Sequence, residues 1–78
     1  MFLEIITPDK KIFSGDVKSV QLPGAEGSFG VLKNHAPLIS TLKKGKVKIV
    51  DDKQVSQLFD INGGVVEVLH NNIIVLAE

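Results

Sequence analysis

The chain contains no cysteine, tryptophan, tyrosine or arginine. Without cysteine there is no disulfide framework, and metal sites built on thiolates are excluded. Without arginine, the planar two-handed grip on phosphate and carboxylate is missing, and lysine supplies all nine positive charges. Those nine balance nine Asp and Glu, so no net field draws nucleic acid or an anionic membrane. Four phenylalanines are the only aromatics, which argues against a base-stacking surface of rings set between cations. Long apolar runs are lacking too. The longest, Ile73-Ile74-Val75-Leu76-Ala77, is far short of the roughly 20 residues that span a bilayer. The N-terminus carries Glu4 where a secretory leader would be basic, and nothing resembles an Arg/Ser-rich transit peptide. The expectation is a soluble protein that stays where it is made.

At 78 residues the chain has room for one domain, 1–78. A domain this small buries roughly 60–65% of its extended surface and keeps only a slim net stability. A partner covering a further face would add to that margin.

What is present is a series of short β-type runs punctuated by turn residues. Phe2 to Thr7 predicts a first strand, stopped by Pro8-Asp9, and Lys11-Ile12-Phe13 a short second one. Val17 to Leu22 sets Val20 and Leu22 on one face, with Ser19 and Gln21 on the other. Leu38 to Leu42 reads as a strand rather than an isolated helical turn. Lys46 to Ile49 alternates lysine outward with Val47 and Ile49 inward. Asp51-Asp52-Lys53 then turns the chain into Val55 to Ile61. Asn62-Gly63-Gly64 reads as a hairpin turn, because both central residues of the favoured type need positive φ. Val65 to Leu69, a turn at His70-Asn71-Asn72 and a closing strand Ile73 to Ala77 follow. Strands recurring about every 8–12 residues with such turns predict an all-β antiparallel sandwich or barrel.

The stretch Gly24-Ala25-Glu26-Gly27-Ser28-Phe29-Gly30 spaces three glycines evenly, but it is neither a dinucleotide fingerprint nor a P-loop. No helix follows to present N–H groups to a phosphate, and Glu26 would repel one. The two histidines, His35 and His70, fall in different predicted turns, and Ser28 lacks the glycine context of a nucleophile elbow. Lys43, Lys44, Lys46 and Lys48 form the one charge cluster, read as a solvated strand face or as a surface for an acidic partner. Gly24, Gly30 and Pro37 are expected to shape a long, stiff loop closed by His35-Ala36-Pro37, with Ser28 and Phe29 at its tip. Phe29, Val31 and Leu32 would be core or, if exposed, a contact surface.

Several blocks stand in a distinctive order: Phe13-Ser14-Gly15, Gly24-x-Glu26-Gly27-x-x-Gly30-Val31-Leu32, Asn34-His35-Ala36-Pro37-Leu38, Lys44-Gly45, Gly63-Gly64-Val65-Val66-Glu67-Val68 and Ile74-Val75-Leu76-Ala77. Across almost its whole length the chain thereby resembles the N-terminal domain of the epsilon subunit of F-type ATP synthases, called delta in mitochondria. The resemblance implies a β-sandwich of about ten short strands at the foot of the central stalk. One side would pack on the gamma subunit, and the bottom would touch the ring of c subunits. It implies a non-catalytic part of the rotor that couples ion translocation to ATP synthesis, with no cofactor, metal or nucleic-acid partner. Membrane association would come only through the complex, on the cytoplasmic face of a bacterial plasma membrane. His35, Ala36 and Leu38 are the implied gamma contacts; Gly27, Ser28 and Phe29 are the implied c-ring contacts. Lys33 stands where the family often has proline, and Ser28 where it often has an acid. The chain stops at Glu78, before the two C-terminal helices common in the family, so inhibition by those helices is not assigned to it. Two other classes stay open on the residues alone: a β-sandwich binding module using the lysine cluster, and a small enzyme using His35 as base.

Overall fold

Runs that alternate apolar and polar side chains become seven β-strands in the computed structural model, which describes residues 1–78 and contains no helix. They are β1 (Phe2–Ile6), β2 (Lys11–Asp16), β3 (Ser19–Gly24), β4 (Gly27–Leu32), β5 (Leu38–Val50), β6 (Ser56–Leu69) and β7 (Asn72–Ala77). Hydrogen bonds join them in the order β2-β1-β7-β6-β5-β3-β4. Each pairing is antiparallel except that of β1 with β7, which corrects the purely antiparallel expectation. That parallel pair joins the first strand to the last. Local turn signals carry no trace of so distant a partner.

The sheet closes over itself because β5 and β6 are long and bent. The arm of β6 from Gly64 to Leu69 pairs with β7, while the β5 arm from Lys48 to Val50 pairs with β3. Each long strand therefore serves both layers. Phe13 on β2 and Phe59 on the first arm of β6 lie far apart in the sheet order, yet their ring centroids are 5.4 Å apart. One core fills the space between, with Leu3, Ile5 and Val75 from one layer meeting Val20, Val31 and Ile49 from the other. All the fully buried side chains are apolar.

The bend in β6 sits at Asn62-Gly63-Gly64, where a hairpin turn was expected. Pairing with β5 continues straight through it, with Leu42 opposite Gly64, Lys43 opposite Gly63 and Gly45 opposite Ile61. Positive φ is present as the glycines suggest, but at 138° and 146°, far from the roughly +57° of a left-handed turn residue. The chain is bent, not reversed. A Cβ on Gly64 would collide with the Leu76 carbonyl oxygen and lie 3.0 Å from Ala77 Cα, so the backbone of β7 passes where a side chain would stand. The bends also explain the strand count. The segments expected at 38–42 and 46–49 merge into β5, and those at 55–61 and 65–69 merge into β6.

The glycine-rich stretch is likewise not a long loop. Strands β3 and β4 form a tight hairpin in which Gly24 faces Gly27 across a two-residue turn, Ala25-Glu26. A Cβ on Gly24 would strike the Gly27 carbonyl oxygen and come within 2.9 Å of the Phe29 ring. The tip is therefore Ala25-Glu26. Ser28 and Phe29 stand behind it, opposite Pro23 and Leu22.

Candidate functional site

Two regions hold the residues singled out from the sequence, and a third lies apart from them. At one end, residues 33–37 connect β4 to β5. The His35 N–H donates to the Leu32 carbonyl at 3.1 Å, closing a turn in which Asn34 has φ 65°. Asn34 N–H donates to Asn71 Oδ1 at 2.7 Å, and Asn71 Nδ2 donates back to Asn34 Oδ1 at 3.1 Å. Asn71 belongs to the β6–β7 turn, where His70 and Asn71 both take positive φ, as a two-residue hairpin of this kind requires. This reciprocal amide pair locks together two turns remote in sequence. Both histidines thus line one open cleft of about 350 Å³ with Asn34, Pro37 and Asn71. His35 Nδ1 lies 2.7 Å from the Ala36 carbonyl oxygen, so that nitrogen carries the proton and donates it. Ser28 lines other grooves, so Ser28 and His35 do not form a nucleophile–base pair.

The β3–β4 hairpin lies along the first arm of β5. The Ala25 N–H donates to the Thr41 carbonyl at 2.9 Å, and a groove of about 550 Å³ runs between Gly24–Phe29 and Ile39–Thr41. Gly27 and Ser28 are exposed there, while Phe29 is half-buried and packs against the core. Gly30 lies inside β4 opposite Gln21, and a Cβ there would meet only ordinary contact. Lys44, Lys46 and Lys48 alternate along β5 toward water, Lys43 is exposed beside them, and Lys46 pairs with Asp60 at 2.6 Å on an open surface.

The third region was missed from the sequence. On β1, β7, the second arm of β6 and the first arm of β5, alternate side chains point away from the core. The pairing aligns Glu4, Ile74, Glu67 and Ile39 in one row across the four strands, and Ile6, Leu76, Val65 and Thr41 in the next. This outer face is mostly aliphatic, with Ile39 72% and Leu76 55% exposed. A groove of about 340 Å³ is lined by five aliphatic residues of this face and Glu67. The outer side of a solvated sheet is normally polar. The signal was available in the doublets Ile5-Ile6, Leu38-Ile39, Val65-Val66 and the run from Ile73 to Leu76. Consecutive apolar residues in a strand make both faces apolar. Leu38 is half-buried against the core, whereas Ile39 beside it is the outward member of its pair.

The family described as ATP synthase, Delta/Epsilon chain, beta-sandwich domain matches residues 1–78. The chain belongs to this family. Among its relatives, the ATP synthase epsilon chain of Caulobacter vibrioides is 46% identical over the whole of this chain and 90% of its own length. The epsilon chain of Chlorobaculum tepidum is 47% identical over 97% of this chain and 86% of its own length. That of Campylobacter curvus is 46% identical, but the chain spans only 60% of it. The Euglena gracilis mitochondrial ATP synthase, solved as OSCP/F1/c-ring, contains a chain that superposes with TM-score 0.90 at 21% identity, covering 96% of this chain and 48% of that one. A chain from the central stalk and c-ring of the Tetrahymena thermophila enzyme gives 0.82 at 23% identity, covering 99% and 62%. At such identities the two superpositions show the fold alone. The epsilon-family β-sandwich accounts for both bent strands and the parallel pair, because two layers sharing long strands can close over one core.

Proposed function

We propose that this β-sandwich is a non-catalytic element of the ATP synthase rotor, joining the gamma subunit to the c ring. The carrying observation is the aliphatic outer face of β1, β7, β6 and β5 on a domain of this family. Contiguous exposed apolar surface marks a protein contact, and a single-layer patch with a polar rim fits a docking interface. Gamma docks on this face and reaches its edge at Ile39, next to His35, Ala36 and Leu38. The β3–β4 hairpin, with Gly27, Ser28 and Phe29 behind its Ala25-Glu26 turn, extends toward the c ring. The close-packed core between the layers is barely compressible, so torque entering at one face leaves at the other with little loss of shape. Docking also stabilises the small domain, because the partner binds only its folded form. No helix of the chain is long and apolar enough to cross a membrane, and the domain joins the membrane-associated complex through its partners, on the cytoplasmic face of a bacterial plasma membrane.

Leu76 tests the face, because it points outward and its loss leaves the core intact. Leu76→Asp should remain folded and lose binding to purified gamma subunit by at least tenfold in calorimetric titration. Wild-type affinity in this variant would remove the face from the interface.

A further inference from the structure

At the centre of the aliphatic face stands one carboxylate. Glu67 is flanked directly by Ile39 on β5 and Ile74 on β7, with Val65 and Leu69 two residues away along its own strand. It lines both the 340 Å³ groove beside Leu76 and the neighbouring groove of about 440 Å³ that runs from Pro37 to Leu69. The face holds one other acid, Glu4, and that is neutralised by Lys11 at 2.8 Å. Glu67 takes part in neither of the chain's two ion pairs and in none of its side-chain hydrogen bonds.

In the free domain this arrangement costs little, because Glu67 is exposed to water. Docking changes that. A partner covering the aliphatic residues on both sides must also cover the carboxylate between them, and a buried charge without a counter-charge is strongly unfavourable. The requirement is local, since no lysine lies in register with Glu67 on either neighbouring strand to swing in as a substitute. We infer that Glu67 pairs with a cationic side chain of the docked partner, a lysine or arginine set within an otherwise apolar patch. The inference rests on the reading that gamma occupies this face. Aliphatic surface supplies attraction without direction. A single central charge pair fixes the register of the two surfaces and disfavours any apolar partner that lacks the cation.

The test is calorimetric titration of purified gamma subunit into the wild-type domain and into the Glu67→Gln, Glu67→Leu, Glu67→Lys and Leu76→Asp variants, each first checked for folding by circular dichroism. Glu67→Gln and Glu67→Leu should each weaken binding about tenfold or more, since either leaves the partner's cation buried and unpaired. Glu67→Lys should weaken it about a hundredfold or more. Loss of affinity in Glu67→Leu is the informative result, because the substitution adds apolar area and would otherwise tighten binding. If Glu67→Leu binds as well as the wild type while Leu76→Asp does not bind, the charge pair is refuted and the docking face stands. If Leu76→Asp binds normally, the face is wrong and the pairing falls with it.

Discussion

Gly64 is the position where backbone geometry and packing make the same demand, and replacing it by alanine tests the bent-strand architecture. Its φ of 146° is one that side chains rarely adopt, and holding a non-glycine residue there costs about 1–3 kcal/mol. The new Cβ would also press on the Leu76 carbonyl and the Ala77 backbone, which are pinned by the β6–β7 pairing. Overpacking of this kind adds about 1–3 kcal/mol. A loss of about 2–6 kcal/mol is therefore expected. At about 0.05–0.15 kcal/mol per residue, a 78-residue domain holds about 4–12 kcal/mol in all. A 3 kcal/mol loss lowers the melting temperature by about 12–24 °C. Urea unfolding followed by far-UV circular dichroism measures the change through the midpoint at constant m-value. Gly30→Ala is the control, since its nearest atom to a new Cβ is the Val20 carbonyl oxygen at 3.9 Å and its φ is not positive. It should be neutral or stabilising by about 0.5 kcal/mol. A Gly64→Ala domain within 0.5 kcal/mol of wild type, taken as roughly the scatter of a harmless substitution, would refute the reasoning.

Two smaller predictions concern stability. Asn34→Ala removes the Oδ1 that accepts from Asn71 Nδ2 and places alanine at φ 65°, so it should cost about 1–3 kcal/mol by thermal melting. Asn34→Gly should cost less, because glycine tolerates the angle and forfeits only the side-chain bond. Asp60→Asn breaks the Lys46 pair, but both side chains are largely in water, at 59% and 80% exposure, so the melting point should move by little and the change should fall below about 1 kcal/mol.

Much of the fold was legible because it rests on local rules. The alternation at Ser19 to Leu22 and Lys46 to Ile49 placed Val20, Leu22, Val47 and Ile49 in the core, where they are buried. The Asp51 turn was readable too: its carboxylate accepts from the Lys53 and Val55 N–H groups, the habit of an acid opening a turn. Where reading failed, one residue type served two geometries. Gly63-Gly64 advertised positive φ, yet the sequence does not say whether that angle turns a chain back or bends it onward. The β1–β7 pairing depends on contacts across the whole chain. The aliphatic outer face was hidden for a different reason: in a small sandwich an aliphatic residue usually means core, and only the doublets show that Ile39, Val65, Ile74 and Leu76 point away from it. Residue doublets on adjacent strands separate the two cases once strand parity is known.

The coupling role is tested most directly in inverted membrane vesicles carrying an ATP synthase that lacks its own copy of this subunit. ATP-driven ion uptake per ATP hydrolysed is measured after adding back the wild-type chain or the Leu76→Asp variant. Restored uptake with the wild type and hydrolysis without uptake with the variant are expected. Equal restoration by both would only remove the outer face from the interface, whereas full coupling with no chain added, or no uptake after adding the wild-type chain, would contradict a role in passing torque from shaft to ring.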